Sequence, residues 1–382
     1  MKNIGTYITT KVPGESFKTY IPPPLPLNPA ISLEKLAPLL EKTTQSLTTL
    51  NAMSPKIPNT SLFVYMYVRK EALLSSQIEG TQSSFSDLVL FESNQNPDVS
   101  TTDIEDVSNY VLAINHAIAR LEEGFPLSLR LLKETHAILL AAGRGVNFRP
   151  GEFRTTQNWI GGTRPGNALY VPPPIEKMAD CLSNFEQFLH NEELPTLIKT
   201  AIAHVQFESI HPFLDGNGRL GRLLITLLLM NDNLLDSPIL YLSLYLKQNR
   251  SVYYDLLQEV REHGRWEVWI EFFLNGVLTT SEQAIKTTQD IETLFERDTY
   301  KINTLGRARF TCLEVLERSK KLPQFSIGLI AKELDVSIPT ARSAINHLVK
   351  LNVLEEITFK KRNKHYVYRD YLTLLEKGTE PL

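Results

Sequence analysis

HPFLDGNGRLGR, residues 211–222, reads as a loop that turns into a helix. Gly216 and Gly218 let the backbone turn tightly and approach a ligand closely. A helix beginning near Gly218 directs its unpaired N–H groups and positive dipole end back at the loop, which makes an anion site. Arg219 and Arg222 are three residues apart and share a helix face. Two guanidiniums above a helix N-terminus suit a polyphosphate better than a single carboxylate. Asp215 adds an oxygen ligand, and a carboxylate beside phosphates commonly holds Mg²⁺. His211 is the nearby group able to take a proton near neutral pH. Phe213 reads as the anchor that buries the loop. Glycine turns and buried histidines are common singly, but here one loop carries a base, a metal ligand, two glycines, Asn217 and two arginines.

Around this loop the chain is ordinary in composition. Its 382 residues are 42% hydrophobic and 22% charged, enough for two or three domains with a sizeable core. The net charge of -3 is unevenly spread. Residues 306–382 carry 14 Lys+Arg against 9 Asp+Glu, and the remainder 26 against 34, so a basic end follows an acidic body. Cys181 and Cys312 are too distant in sequence to read as a disulfide framework or a zinc site, which fits a reducing, cytoplasmic setting. The start, MKNIGTYITTKVPGESF, has no apolar segment of the secretory kind, and the longest apolar run, LLITLLLM (223–230), is too short to span a bilayer.

Apolar spacing from Ser32 to about Ile285 is mostly helical, with Ser32 read as the first N-cap. One interval differs: FRTTQNWIGGTRPGNALYVPPP (153–174) has β-branched and aromatic residues around Gly-Gly and Pro-Gly turns, so it reads as a β-hairpin or flap inserted in a helical bundle. Residues 1–30 read as an irregular, Pro-rich arm packed along its own domain. The charged segment 282–303 reads as a helical connector. Three helices and an alternating hairpin, ITFKKRNKHYVYRDY, then make a winged helix-turn-helix pattern. The expected architecture is mainly α, with an arm over 1–30, a bundle with its flap over 31–285, a linker over 286–305 and a winged helix over 306–382.

HPFLDGNGRLGR resembles the Fic family, matching His-x-Phe-x-Asp/Glu-Gly-Asn-Gly-Arg-x-x-Arg at every specified position. The likeness runs from about Pro22 to Thr280, including GEFRTTQNWIGG and YLSLYLKQNRSVYYDLLQEV. It implies transfer of AMP from ATP to a Tyr, Ser or Thr hydroxyl of a target protein or of the enzyme itself. His211 would be the general base and Asp215 would hold Mg²⁺ across the α- and β-phosphates. Gly216, Asn217, Gly218 and Arg219 would cradle the phosphates, and Arg222 would bind the γ-phosphate. Trp159, Ile160, Gly161 and Gly162 on the flap would hold the target segment as a strand and help cover the nucleotide, and Tyr253 or Tyr254 would line the adenine pocket. The resemblance also implies a homodimer.

SSQIEG (75–80) taken alone is a helix end running into a loop. It also resembles the family's Ser/Thr-x-x-x-Glu-Gly/Asn inhibitory motif, matched by Ser75, Glu79 and Gly80. Lying before the active-site motif, it implies intramolecular inhibition in which Glu79 pairs with Arg222 and keeps the γ-phosphate out. In some members the same glutamate positions a water that removes AMP. A different class of function also fits: a nucleotide-sensing, DNA-binding transcriptional regulator. On the third helix of the winged pattern Arg342, Asn346 and Lys350 would reach bases or phosphates, and Lys360, Lys361, Arg362 and Lys364 on the wing would contact phosphates.

Overall fold

In the computed structural model, which describes residues 3–12, 14–53, 60–92, 101–358 and 364–380, the chain opens with a β-hairpin. Strands β1 (Thr6–Val12) and β2 (Glu15–Ile21) pair antiparallel from Thr6↔Ile21 to Val12↔Glu15. The irregular arm expected there is therefore corrected over 6–21. TYITTKV and ESFKTYI are rich in β-branched and aromatic residues, and Gly14 takes the positive φ (+83°) next to the turn. Among the described residues of the arm, 3–5 and the Pro-rich stretch after Ile21 are without regular structure.

Helices α1 (Ala37–Met53), α2 (Thr60–Ile78), α3 (Phe85–Glu92), α4 (Thr101–Glu122) and α5 (Leu129–Leu139) follow. Helix α1 starts five residues after the expected cap at Ser32, because Pro38 lacks an N–H and is tolerated only in a first turn. Next come α6 (Ile175–Leu189), α7 (Thr196–Ile210), α8 (Asn217–Asn231), α9 (Ser243–Gln248), α10 (Arg250–His263) and α11 (Trp266–Asn303). Every residue of α7 from Leu197 to Ile210 is buried, as is most of α8, so this antiparallel pair is the spine of the core. A helix surrounded on all sides needs no polar face. The spine presents the 211–216 loop at one end.

The interval 153–174 forms no regular strand. It is a flap closed by a single antiparallel bridge, Ile160↔Tyr170. The N-terminal hairpin supports it: Tyr20 N–H donates to Val171 O (2.9 Å), and Glu15 accepts from Gly166 N–H (2.8 Å) and pairs with Arg164 (3.4 Å).

Helix α11 is continuous over 38 residues, about 57 Å. There is no break near 285: Thr288, Ile291, Leu294, Phe295, Asp298 and Ile302 are buried, so the expected helical connector is the packed second half of a longer helix. The chain ends with α12 (Arg309–Lys321), β3 (Gln324–Ser326), α13 (Ile327–Glu333), α14 (Ile338–Lys350), β4 (Glu355–Glu356), β5 (His365–Val367) and α15 (Arg369–Glu376), with sheet order β3-β5-β4. RDY, expected to end the hairpin, instead opens α15. Buried Asp298 of α11 ties this end down, accepting from Arg297 (2.8 Å), Lys301 (2.9 Å) and Tyr368 (2.8 Å). The tail after α15 then lies on α2, where Lys70 donates to Lys377 O and Gln77 to Thr379 O, both at 2.8 Å. Among the described residues, no helix is long and apolar enough to cross a membrane.

Candidate active site

Helix α7 stops at His211, whose left-handed backbone (φ +48°) caps it and turns the chain into the loop. The loop is braced from three sides. Asn217 accepts from Phe213 N–H (2.9 Å) and donates to Phe213 O (2.8 Å). From the flap, Arg154 donates through Nε to His211 O (3.0 Å) and through its N–H to Pro212 O (2.9 Å), and Asn158 donates to Phe213 O (2.9 Å). Beneath, Phe213 stacks on His136 at 3.7 Å between ring centres. His136 Nδ1 accepts from Gly151 N–H (2.8 Å), so Nε2 carries the proton and donates to Asp215 O (3.0 Å). Burial holds His136 down to about 4, which keeps this tautomer neutral.

Gly216 (φ +74°) caps α8, whose first turn carries the free N–H groups of the anion site. Arg219 is buried, and its Nε and Nη1 have no hydrogen-bond partner, although Asp106 lies 3.5 Å and Asp215 3.6 Å from the guanidinium. Arg222 is buried and engaged through Nε and Nη2. It donates through Nε to Ser75 Oγ (2.9 Å) and through Nη2 to Ser75 O (2.9 Å) and Glu79 Oε1 (2.6 Å). Ser75 sits in the last turn of α2, and Glu79 immediately follows it. A Cβ on Gly218 would meet Glu79 Oε1 at 2.4 Å and Arg222 Nη1 at 3.1 Å. The Glu79 carboxylate thus sits against the start of α8, where an anion would bind. Burial pushes the Glu79 carboxyl up, but Arg222 pulls it down further, so it lies below the usual range and is ionised. Burial, together with the charges of Arg261 and Arg154, lowers His211 to about 3, so its imidazole is neutral.

Glu79, His211, Gly218, Arg219 and Arg222 line one cavity of about 500 Å³. Residues 37–119 match the Fic/DOC family N-terminal model and residues 126–229 the Fic/DOC family model. Over residues 37–229 the chain is thus similar to the Fic/DOC family. It is 32% identical over 183 residues to a Drosophila grimshawi protein named protein adenylyltransferase Fic, and 31% to one of the same name from Drosophila melanogaster. Each match takes in 47% of this chain but 35% and 34% of the relative, so the chain spans about a third of the length of the curated relatives it matches. In fold it is similar to the crystal structure of a Fic family protein from Desulfovibrio desulfuricans G20, with a TM-score of 0.60 at 18% identity over 89% of this chain and 97% of that one.

The Fic loop brings His211, Asp215, Gly216, Asn217, Gly218, Arg219 and Arg222 to the cavity, where Glu79, Ile160, Gly161 and Tyr254 join them. Asn217 commits its amide oxygen and one amide N–H to Phe213, which fixes the side chain beside the start of α8. One expectation changes in detail. Gly162 does not line the cavity; its φ of +73° and contacts with Asn167 fit it to the flap's turn. Gly80 likewise shapes the chain beside Glu79 (φ +96°). Tyr253 also lines the cavity, but its hydroxyl donates to His204 Nε2 (2.9 Å), leaving Tyr254 as the exposed aromatic of the pair. Arg342, Asn346 and Lys350 lie exposed on α14, outside this cavity, and Lys360, Lys361 and Arg362 fall outside the described residues. Asp106, His136, Arg144, Arg154 and Glu208 were not legible as site residues, because each is remote in sequence from the loop it supports or faces.

Asp215 suits a divalent cation. Its side chain is 41% exposed into the cavity, and no hydrogen bond holds its carboxylate. Among the described residues no group of three or more His, Cys, Asp or Glu could hold a metal by itself.

Proposed function

We propose that this chain is a protein adenylyltransferase that moves AMP from ATP to a Tyr, Ser or Thr hydroxyl of a target protein or of itself, and that Glu79 holds it inactive. The observation that carries this reading is the Glu79–Arg222 pair at the start of α8, where an anion bound by the loop would sit. Neutral His211 has a lone pair free to take the hydroxyl proton. The unpartnered donors of Arg219 and the N–H groups of α8 supply fixed positive charge where phosphate charge shifts during transfer. Asp215 would hold Mg²⁺, which neutralises phosphate charge when bound. The edge of the flap at Ile160 and Gly161 would pair with the target segment, with exposed Trp159 beside it. Arg222 takes the γ-phosphate only once Glu79 withdraws.

Arg222 is buried but Glu79 is 36% exposed, so the pair falls between a buried one, which costs about 3–5 kcal/mol to break, and an exposed one, worth about 0–1 kcal/mol. A preference of about 3 kcal/mol for the closed state leaves under about 1% of molecules competent. Glu79→Gly with labelled ATP and Mg²⁺ is therefore expected to label itself or lysate proteins at least about tenfold faster than the wild-type chain, while Glu79→Gly/His211→Ala binds ATP and transfers nothing. Equal labelling by wild type and Glu79→Gly would refute the inhibitory role. Incubating AMP-modified target with each protein tests the second task of Glu79, because removal by wild type alone would assign it.

The C-terminal helices and three-stranded sheet support a second reading as a winged helix bound to DNA. The outer face of α14 leaves Arg342, Asn346 and Lys350 exposed. The full chain should then bind duplex DNA with an affinity that falls steeply with salt; binding indifferent to salt would favour a protein-binding module. A cytoplasmic homodimer is part of the proposal, supported by two free, buried cysteines for the compartment and tested by sedimentation for the assembly.

A further inference from the structure

Behind His211 the core holds a carboxylate with no task in the chemistry above. Glu208 precedes His211 by three residues and is 6% exposed. Its Oε2 lies 4.0 Å from His211 Nδ1. That nitrogen is buried and makes no hydrogen bond of good geometry, although the main-chain carbonyl of Glu208 is near enough to act on it, and Glu208 Oε1 is buried without a partner. The packing of α8 makes room for the carboxylate, since a Cβ on Gly221 would lie 2.5 Å from Oε1. Leaving two buried polar groups unpaired is costly, and a site that keeps both is arranged for a bond it makes only in another state.

We propose that Glu208 is a positioning residue for His211, accepting a hydrogen bond from Nδ1–H once the two groups close up in the substrate complex. This fixes the tautomer, so that Nε2 is the nitrogen that faces the cavity as base. The inference rests on the transferase reading. In the step, the target O–H bond breaks and its proton passes to His211 Nε2. The hydroxyl oxygen bonds to the α-phosphorus, and the bond from that phosphorus to pyrophosphate breaks, the electron pair leaving with pyrophosphate. The imidazolium then holds its Nδ1–H against the Glu208 carboxylate until Nε2 returns its proton to pyrophosphate or water.

The surroundings agree. Burial pushes the Glu208 carboxyl up to about 7, with Arg222 pulling it down and Glu79 pushing it up. Withdrawal of Glu79 removes a negative charge that keeps Glu208 protonated, so the change that frees Arg222 also favours the ionised partner His211 needs. Arg261, which donates to Glu208 O (3.2 Å), and Tyr253 face the same group from α10.

The test uses full-length Glu79→Gly and Glu79→Gly/Glu208→Gln, with nitrogen-15 NMR of His211 and steady-state transfer kinetics. Glu79→Gly should show the Nδ1–H tautomer, and adding Glu208→Gln should weaken that signature. The same change should lower kcat at least about tenfold while KM for ATP and the urea midpoint stay within about twofold, by analogy with the loss of an orienting carboxylate behind a catalytic histidine. An Nε2–H tautomer in Glu79→Gly, an unchanged kcat, or a parallel loss of ATP affinity and rate would overturn the proposal. If Glu79→Gly itself transfers nothing, the transferase reading fails, and the tautomer still decides whether Glu208 orients His211.

Discussion

Arg222 has almost no contact with water, so its donors depend on what α2 supplies: Ser75 Oγ, Ser75 O and one oxygen of Glu79. Ser75→Ala deletes the acceptor for Nε in the closed state alone. An orphaned buried donor costs about 1–3 kcal/mol, so transfer by Ser75→Ala should rise about fivefold or more with KM for ATP unchanged. Initial rates beside Glu79→Gly, which should remain the faster, check this; no rise would mean Ser75 is only filler. Arg154 works on the other side of the loop. It is 1% exposed and spends its guanidinium on His211 O, Thr156 O and Pro173 O. Arg154→Met keeps much of its bulk but strands those carbonyls. It should cost at least about 2 kcal/mol in urea unfolding and lower kcat more than ATP affinity.

At the scale of elements, the inhibitory turn of α2 is held by more than Arg222. Gln77, between Ser75 and Glu79, donates to Ser83 O (2.9 Å) and Thr379 O (2.8 Å) and accepts from Lys247 of α9 (2.7 Å). Lys247 also donates to Glu380 O, and Ser86 of α3 donates to Glu376 of α15. The C-terminal tail thus helps set where Glu79 stands. Gln77→Ala should reduce stability by about 1–3 kcal/mol and speed amide exchange in residues 75–78, with basal transfer rising as the turn loosens. Unchanged exchange there would show that the tail packs on α2 without holding it.

For the whole molecule, buried titrating groups set the pH response. His136 is lowered to about 4 and His204 and His211 to about 3, chiefly by burial, so all three stay neutral in the folded state down to acid pH. Once unfolded they bind protons below about 6.5, so their contribution to stability is lost as pH falls. Glu71 and Glu208, raised to about 7 by burial, act with the opposite sign, because the folded state holds two protons that the unfolded chain releases above about 4.5. Between about pH 4.5 and 6.5 the three histidines outweigh the two carboxyls by one proton. These groups alone should make stability rise with pH there. Urea midpoints measured across that window read the slope directly, and a Glu71→Gln variant should steepen it.

The partnership of Glu79 with Arg222 was legible only through the resemblance to the Fic family, since SSQIEG alone reads as a helix end. By itself the sequence determined the mainly helical bundle and the anion-site pattern of residues 211–222. These are written in local spacing: apolar periodicity marks helices, and a glycine turn followed by arginines one turn apart forms its anion site without help from elsewhere. What only the tertiary structure decided is where separate pieces of chain meet. The β-hairpin at 6–21 is held to the flap by bonds more than 150 residues apart in sequence. Helix α11 runs through the expected linker because its second half is covered by neighbouring helices, which periodicity alone does not reveal. Arg154, His136 and Glu208 act on the loop through burial and distance, and neither quantity exists until the chain has folded.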